Sequence, residues 1–123
     1  MPLDILVIDD EQDIRELVAG VLEDEGYEAR SAANSDAAFE AVAERKPSLV
    51  ILDIWLQGSR LDGIEILEAL KQKHPELPVV MISGHGNIET AVAAIKRGAY
   101  DFIEKPFQAE ELIVTVARAT EAE

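Results

Sequence analysis

The sequence contains no cysteine, which excludes disulfides, thiolate catalysis and thiolate metal sites, and fits a reducing compartment. It has no apolar run near the ~18–20 residues that cross a bilayer. The opening Met1-Pro2-Leu3-Asp4 lacks the basic-then-apolar pattern of a secretory signal. Together these set the expectation of a cytoplasmic protein with no membrane attachment. Positive charge is scarce: 11 Lys and Arg stand against 25 Asp and Glu, a net charge of −14. A surface so acidic argues against direct nucleic-acid binding, because the phosphate backbone demands Lys and Arg. Low-complexity segments, linkers and sequence repeats are also missing. What remains is 123 residues, nearly half apolar, which suits one domain spanning 1–123 with a core of its own. Most of the acidic residues read as solubilising helix faces. The informative ones are those that the chain pattern removes from such faces.

Apolar runs and helical periodicities alternate five times. Ile5-Leu6-Val7-Ile8, Leu49-Val50-Ile51-Leu52 and Val79-Val80-Met81-Ile82 are continuous apolar runs, as in strands buried on both faces. Tyr27–Ser31 and Tyr100–Glu104 read as the second and fifth strands. Helices follow each: one with Ile14, Leu17, Val18, Val21 and Leu22 inward and Gly26 as its left-handed terminator; one capped by Ser35 and stopped at Lys46-Pro47; and one opened by an Asp62/Glu65 capping box, with Ile64, Leu67 and Leu70 inward. The fourth is capped by Asn87 and carries Ala91, Val92 and Ile95 before Gly98, and the last carries Leu112, Ile113, Val116 and Ala117. Strict alternation implies an α/β fold, a five-stranded parallel sheet with helices on both faces. Sites in such sheets lie at the carboxyl ends of the strands.

Strand one ends in Asp9-Asp10-Glu11, strand three in Asp53, strand four in Ser83 and strand five in Lys105. Carboxylates gathered at one edge repel, by ~4 kcal/mol for a pair at ~4 Å and an effective dielectric near 20. Lys105 offsets one charge and a divalent cation would offset two more. All-oxygen ligands favour Mg²⁺, Mn²⁺ or Ca²⁺ over zinc or copper. A carboxylate is also a nucleophile able to form an aspartyl phosphate, and Asp53, which ends the central apolar run, is the best placed. Phosphoryl transfer then needs positioning and charge compensation, which the cation, Lys105 and the Ser83 hydroxyl would supply. Each residue has a simpler reading when taken singly. Asp10 fits a helix cap, Asp53 and Ser83 fit turns, and Lys105 fits an ordinary surface lysine. Their common placement at one sheet edge is what those readings leave unexplained.

With Leu6-Val7-Ile8-Asp9-Asp10-Glu11, Leu52-Asp53, Ile82-Ser83-Gly84 and Lys105-Pro106-Phe107 in place, the chain resembles the receiver domain of two-component response regulators over essentially its whole length. Ser83–Asn87 and Gly98–Phe107 look most like receivers of nitrogen-regulation-type transcription factors, in which an ATPase domain and a DNA-binding domain usually follow. The resemblance implies a flavodoxin-like (βα)5 fold with strand order 2-1-3-4-5. It implies that Asp53 is the phosphoacceptor, and that Mg²⁺ (or Mn²⁺ in its place) is held by Asp10, Asp53 and the main-chain carbonyl of Trp55, with Asp9 acting through water. Lys105 would pair with Asp53 and later with the phosphoryl group, Ser83 and Phe102 would be the switch pair, and the Lys105–Pro106 peptide would be cis. The implied partners are a sensor histidine kinase and, on activation, a second copy through the face of the fourth helix, fifth strand and fifth helix, where Ala93, Ala94, Ile113 and Val114 fall.

Two departures stand out. The stretch Ile54–Leu61 before Asp62-Gly63 is longer than usual in the family and lacks its customary Met-Pro pair, and the switch aromatic has no hydroxyl. Trp55 is free to do something beyond lending its carbonyl, and either shields the phosphoryl group or packs over the loop. His85, alone between two glycines, reads as a loop residue rather than a ligand, and His74 as surface. The main rival is an aspartate-nucleophile phosphohydrolase, which needs an acid/base two residues after the nucleophile, where this chain has Trp55. A flavin carrier would need a Ser/Thr/Gly-rich phosphate loop in place of Asp9-Asp10-Glu11. A pure interaction module would have no need of the complete acidic and switch set.

Overall fold

A computed structural model describes residues 3–84 and 88–121. Five strands, β1 (Asp4–Ile8), β2 (Glu28–Ala32), β3 (Leu49–Asp53), β4 (Val79–Ser83) and β5 (Asp101–Glu104), alternate with five helices, α1 (Gln12–Asp24), α2 (Ser35–Glu44), α3 (Gly63–Lys73), α4 (Ile88–Lys96) and α5 (Ala109–Glu121). The strands form one parallel sheet in the order β2-β1-β3-β4-β5, as the resemblance implies.

The three apolar runs are buried on both sides because the sheet divides two cores. Leu6, Ile8, Val50, Leu52, Val79 and Met81 face Ala38 and Val42 of α2, Ile66, Leu67 and Leu70 of α3, and Ala91 and Ala94 of α4. The alternate residues Ile5, Val7, Leu49, Ile51, Val80, Ile82 and Ile103 face Val18 and Leu22 of α1 and Leu112, Val116 and Ala119 of α5. Strand period two therefore sorts one apolar run into two cores.

The helix ends follow the local chemistry. Gly26 takes φ +90°, so that its N–H reaches Glu23 O and that of Tyr27 reaches Leu22 O, a pattern that closes the last carbonyls of α1. The Asp62/Glu65 box at α3 is formed in both directions, at 2.9 and 3.0 Å.

Several expectations shift. The cap of α2 is Asn34, which accepts from the Ala37 N–H at 2.9 Å; Ser35 is instead the first helical residue, fully buried. The second strand starts one residue later than the sequence suggests, because Tyr27 is spent on closing α1. The last strand likewise begins at Asp101. Leu17, Val92 and Ile95 lie outside, since the buried arcs of α1 and α4 are narrower than the periodicity drawn through them. In α3, Ile66 is fully buried and Ile64 only packs at the core's edge. The expectations for His85 and Asn87 fall outside the described residues.

Candidate functional site

Parallel register sets the site. Ile8 pairs with Leu52, Asp53 with Ile82 and Ser83 with Glu104, so the residues that end these strands come level at one edge. Strand order reverses between β1 and β3, which opens a crevice there. Asp9 and Asp10 enter it from one side and Asp53 from the other. Carboxylate oxygens of all three lie within 4.8 Å of one another.

Local bonding aims each group. The Asp9 N–H is tied to Ala32 O at 3.1 Å, and its carbonyl accepts from Arg15 Nη1 at 2.8 Å. Asp9 Oδ1 accepts from the Glu11 N–H at 2.9 Å, while Oδ2 is buried and has no hydrogen-bond partner. The N-cap of α1 is Glu11, with no side-chain cap bond. Asp10 is therefore not spent as a helix cap, the role that its sequence position alone suggests. Asp53 is buried and accepts at Oδ1 from the Trp55 N–H at 3.4 Å. Lys105 is held by its own N–H bonding to Ser83 O at 2.7 Å and follows β5 into a cis peptide with Pro106. Its Nζ lies 3.4 Å from Asp53 Oδ2, 3.3 Å from Asp9 Oδ2 and 3.2 Å from Glu11 Oε1.

One ammonium among these carboxylates leaves a strong negative excess, and the protonation equilibria register it. Burial, with the nearby Asp9 carboxylate, pushes the Asp53 carboxyl up to about 7, against the pull of Lys105 and the Trp55 N–H. Asp9 is also raised, mainly by burial. Burial draws the Lys105 ammonium down, but the Asp53 and Asp9 carboxylates and the bond to Glu11 outweigh it and leave it raised. A buried carboxylate oxygen of Asp9 that meets only the shared Lys105 ammonium, at 3.3 Å, beside two further carboxylates is a donor set suited to a hard divalent cation. The site residues thus fit Mg²⁺ on chemical grounds.

The Ser83 hydroxyl is fully buried at the end of β4, with no hydrogen-bond partner for its Oγ among the described residues. Phe102 is half-buried against the core on the α4 side of the sheet. Trp55 is half exposed at 52% and belongs to neither core; its neighbours Ile54 and Leu56 are the residues that pack inward. Sequence reasoning did not single out Glu11 as a partner of Lys105, Arg15 as the anchor of Asp9, or Gly63, which packs directly against the Asp53 carbonyl. The run of three acids signalled the first; the other two depend on tertiary contacts.

Residues 5–117 match the family described as the response regulator receiver domain, and the chain belongs to that family, whose members are signalling switches that bind Mg²⁺ at an acidic pocket. Its relatives are of the NtrX and NtrC type. The nitrogen assimilation regulatory protein NtrX of Azorhizobium caulinodans is 68% identical over 121 residues, which are 98% of this chain and 27% of that protein. The crystal structure of the receiver domain of NtrX from Brucella abortus is 67% identical, with a TM-score of 0.96, and the match covers 98% of this chain and 100% of that one. The solution structure of the beryllofluoride-activated NtrC4 receiver domain dimer is 37% identical, with a TM-score of 0.88 over 96% of each chain. The chain spans about a quarter of the length of the curated relatives it matches, 27% of the Azorhizobium protein. Among the described residues, no helix is long and apolar enough to cross a membrane.

Proposed function

We propose that residues 1–123 form one phosphoacceptor unit in which Asp53 takes a phosphoryl group from a phosphohistidine of a sensor kinase. The observation that carries this reading is the Asp53 carboxylate, buried at the sheet edge with Asp9 and Asp10 on one side and Lys105 Nζ at 3.4 Å on the other. A carboxylate oxygen of Asp53 bonds to phosphorus as the phosphorus–nitrogen bond of the donor breaks, and the imidazole leaves with the electron pair. Bound Mg²⁺ supplies charge neutralisation for the phosphoryl oxygens; Asp10, Asp53 and the Trp55 carbonyl would hold it, with Asp9 acting through water. Lys105 exchanges its contact with Asp53 Oδ2 for a phosphoryl oxygen, which keeps one positive charge on the group throughout. Ser83 Oγ, partnerless in this state, donates to another phosphoryl oxygen, and Phe102 moves inward behind it. The α4–β5–α5 face is the output surface, and it acts by being stabilised differently in the two states.

On this reading the domain works in the cytoplasm, forms a homodimer when activated, and controls ATPase and DNA-binding domains of a longer regulator without touching DNA itself. Incubation with acetyl phosphate and Mg²⁺ is expected to add one phosphoryl mass to the wild type and none to Asp53→Asn, and chelation of Mg²⁺ is expected to abolish the gain. Intact mass measurement checks this; an unmodified wild type refutes the assignment, and sustained turnover of a phosphate ester would transfer support to a phosphohydrolase. On the same reading the half-exposed Trp55 side chain shields the acyl phosphate rather than merely packing over the loop. Trp55→Ala should lose the phosphoryl group faster than the wild type; equal or slower decay refutes shielding.

A further inference from the structure

The segment between Asp53 and α3 is tied down along its length. At its base, Ile54 is fully buried, its N–H donates to Ile82 O at 3.0 Å and its carbonyl accepts from the Gly63 N–H at 2.8 Å. Leu56 is buried in the core. At its tip, two serines 24 residues apart interlock. Ser59 Oγ accepts from the Ser35 N–H at 2.9 Å and donates to Leu61 O at 2.7 Å. Ser35 Oγ, fully buried, accepts from the Leu61 N–H at 3.2 Å. The Ser35 N–H is among the first amides of α2, which have no partner within the helix. Asn34 serves the Ala37 amide, so the loop itself completes the cap. One hydroxyl that accepts and donates at once is a requirement only Ser or Thr meets at this size. The neighbouring Arg60–Asp36 pair, at 2.9 Å, is largely exposed and adds little.

Trp55 needs such support. Its side chain is half exposed, and its own N–H bond to Asp53 Oδ1 is long at 3.4 Å. Ile54 fixes the chain on one side of Trp55, so the aim of the Trp55 carbonyl depends on how the other side, through Leu61, is held. We infer that Ser35 and Ser59 form a latch between α2 and the loop after Asp53 that positions the Trp55 main-chain oxygen for Mg²⁺. Both are positioning residues, since neither touches the site. The inference rests on the metal role given to Trp55 above.

The test is Mg²⁺ titration of the 123-residue chain, followed by fluorescence of its single tryptophan and in parallel by calorimetry. Ser59→Ala is expected to bind Mg²⁺ about fivefold more weakly, the equivalent of one net hydrogen bond. Ser59→Thr is expected to restore wild-type affinity, and Arg60→Ala to leave it unchanged. Hydrogen exchange at the Leu61 amide reports the latch directly and should speed up in Ser59→Ala while the core amides of β3 and β4 stay protected. Unchanged Mg²⁺ affinity with a freely exchanging Leu61 amide overturns the inference, because Ile54 and Leu56, on either side of Trp55, would then suffice to hold the carbonyl. A wild type that binds no Mg²⁺ overturns the site reading itself, an outcome separate from failure of the latch.

Discussion

Gly63→Ala is expected to cost about 3–5 kcal/mol of folding stability and to remove phosphorylation at Asp53 as well, the largest loss foreseen for a single methyl group in this chain. A Cβ at residue 63 would stand 2.2 Å from the Asp53 carbonyl oxygen, 2.6 Å from Ile54 Cα and 2.8 Å from Ile54 O. All three are backbone atoms of the segment that carries Asp53, so no side chain can rotate away. Either α3 retreats, breaking the 2.8 Å bond from the Gly63 N–H to Ile54 O and uncovering Ile66, Leu67 and Leu70, or the Asp53–Ile54 peptide moves and takes the carboxylate off its line to Lys105. Gly20 is the control. It lies in α1, a Cβ there meets nothing within 4 Å, and Gly20→Ala should gain roughly 0.5–1 kcal/mol from helix propensity. Urea denaturation of the two variants beside the wild type checks the pair. A Gly63→Ala midpoint equal to that of the wild type would mean that α3 does not dock this closely on the Asp53 carbonyl.

This contact shows where the sequence stops being readable. Asp62-Gly63 announces a helix start through its capping box, and the box is there, but nothing in the two residues says that the glycine faces Asp53 O. The same division runs through the rest of the chain. Asp9, Asp10, Asp53, Ser83 and Lys105 were legible because each ends a strand or lies within two residues of its end, and parallel register brings strand ends level whatever the side chains are. The strand order came with the family resemblance, since periodicity gives alternation and not order.

Periodicity marks a broader helix face than the fold buries. Ile14, Leu17, Val18, Val21 and Leu22 all fit a helical period, yet only Val18 and Leu22 are buried, because the sheet beneath accepts a narrow strip. Ser35 suits a cap by residue type, since serine commonly serves as one; the preceding Asn34 takes that task, and Ser35 turns to a loop distant in sequence. Polar side chains with two or three equivalent uses are decided by tertiary neighbours, which is why the latch and the Arg15 anchor of Asp9 had no local signature.

The buried Asp53 carboxylate itself destabilises the fold, and its removal should show this. The Asp53 carboxyl sits at about 7 in the folded chain against 3.8 for the free residue, so the folded state holds this proton more tightly than the unfolded one. Below about pH 4 the group is protonated in both states and contributes nothing. As pH rises from there to about 7, the unfolded chain gives up the proton first, and stability falls; above about 7 both are ionised and the loss is constant. A difference near three pH units corresponds to roughly 4 kcal/mol at 1.36 kcal/mol per unit, as an order of magnitude. Solvent screening offers little relief, since the Asp53 side chain is only 6% exposed. Asp9 is raised as well and adds to the same slope. Asp53→Asn keeps the shape without the charge, so it should be more stable than the wild type by a few kcal/mol at pH 8 and no more stable at pH 4. Denaturation midpoints across that range check the sign; a gain that is equal at both ends would assign the effect to packing rather than ionisation. Mg²⁺ provides the second arm. A cation that binds only the folded form stabilises it, by about 2.7 kcal/mol at a hundredfold excess over its dissociation constant. At pH 8 that gain should appear in the wild type and largely vanish in Asp53→Asn, which lacks one of the proposed ligands. The gap between the two proteins should therefore close as Mg²⁺ is added, because metal binding and loss of the Asp53 charge relieve the same repulsion among Asp9, Asp10 and Asp53.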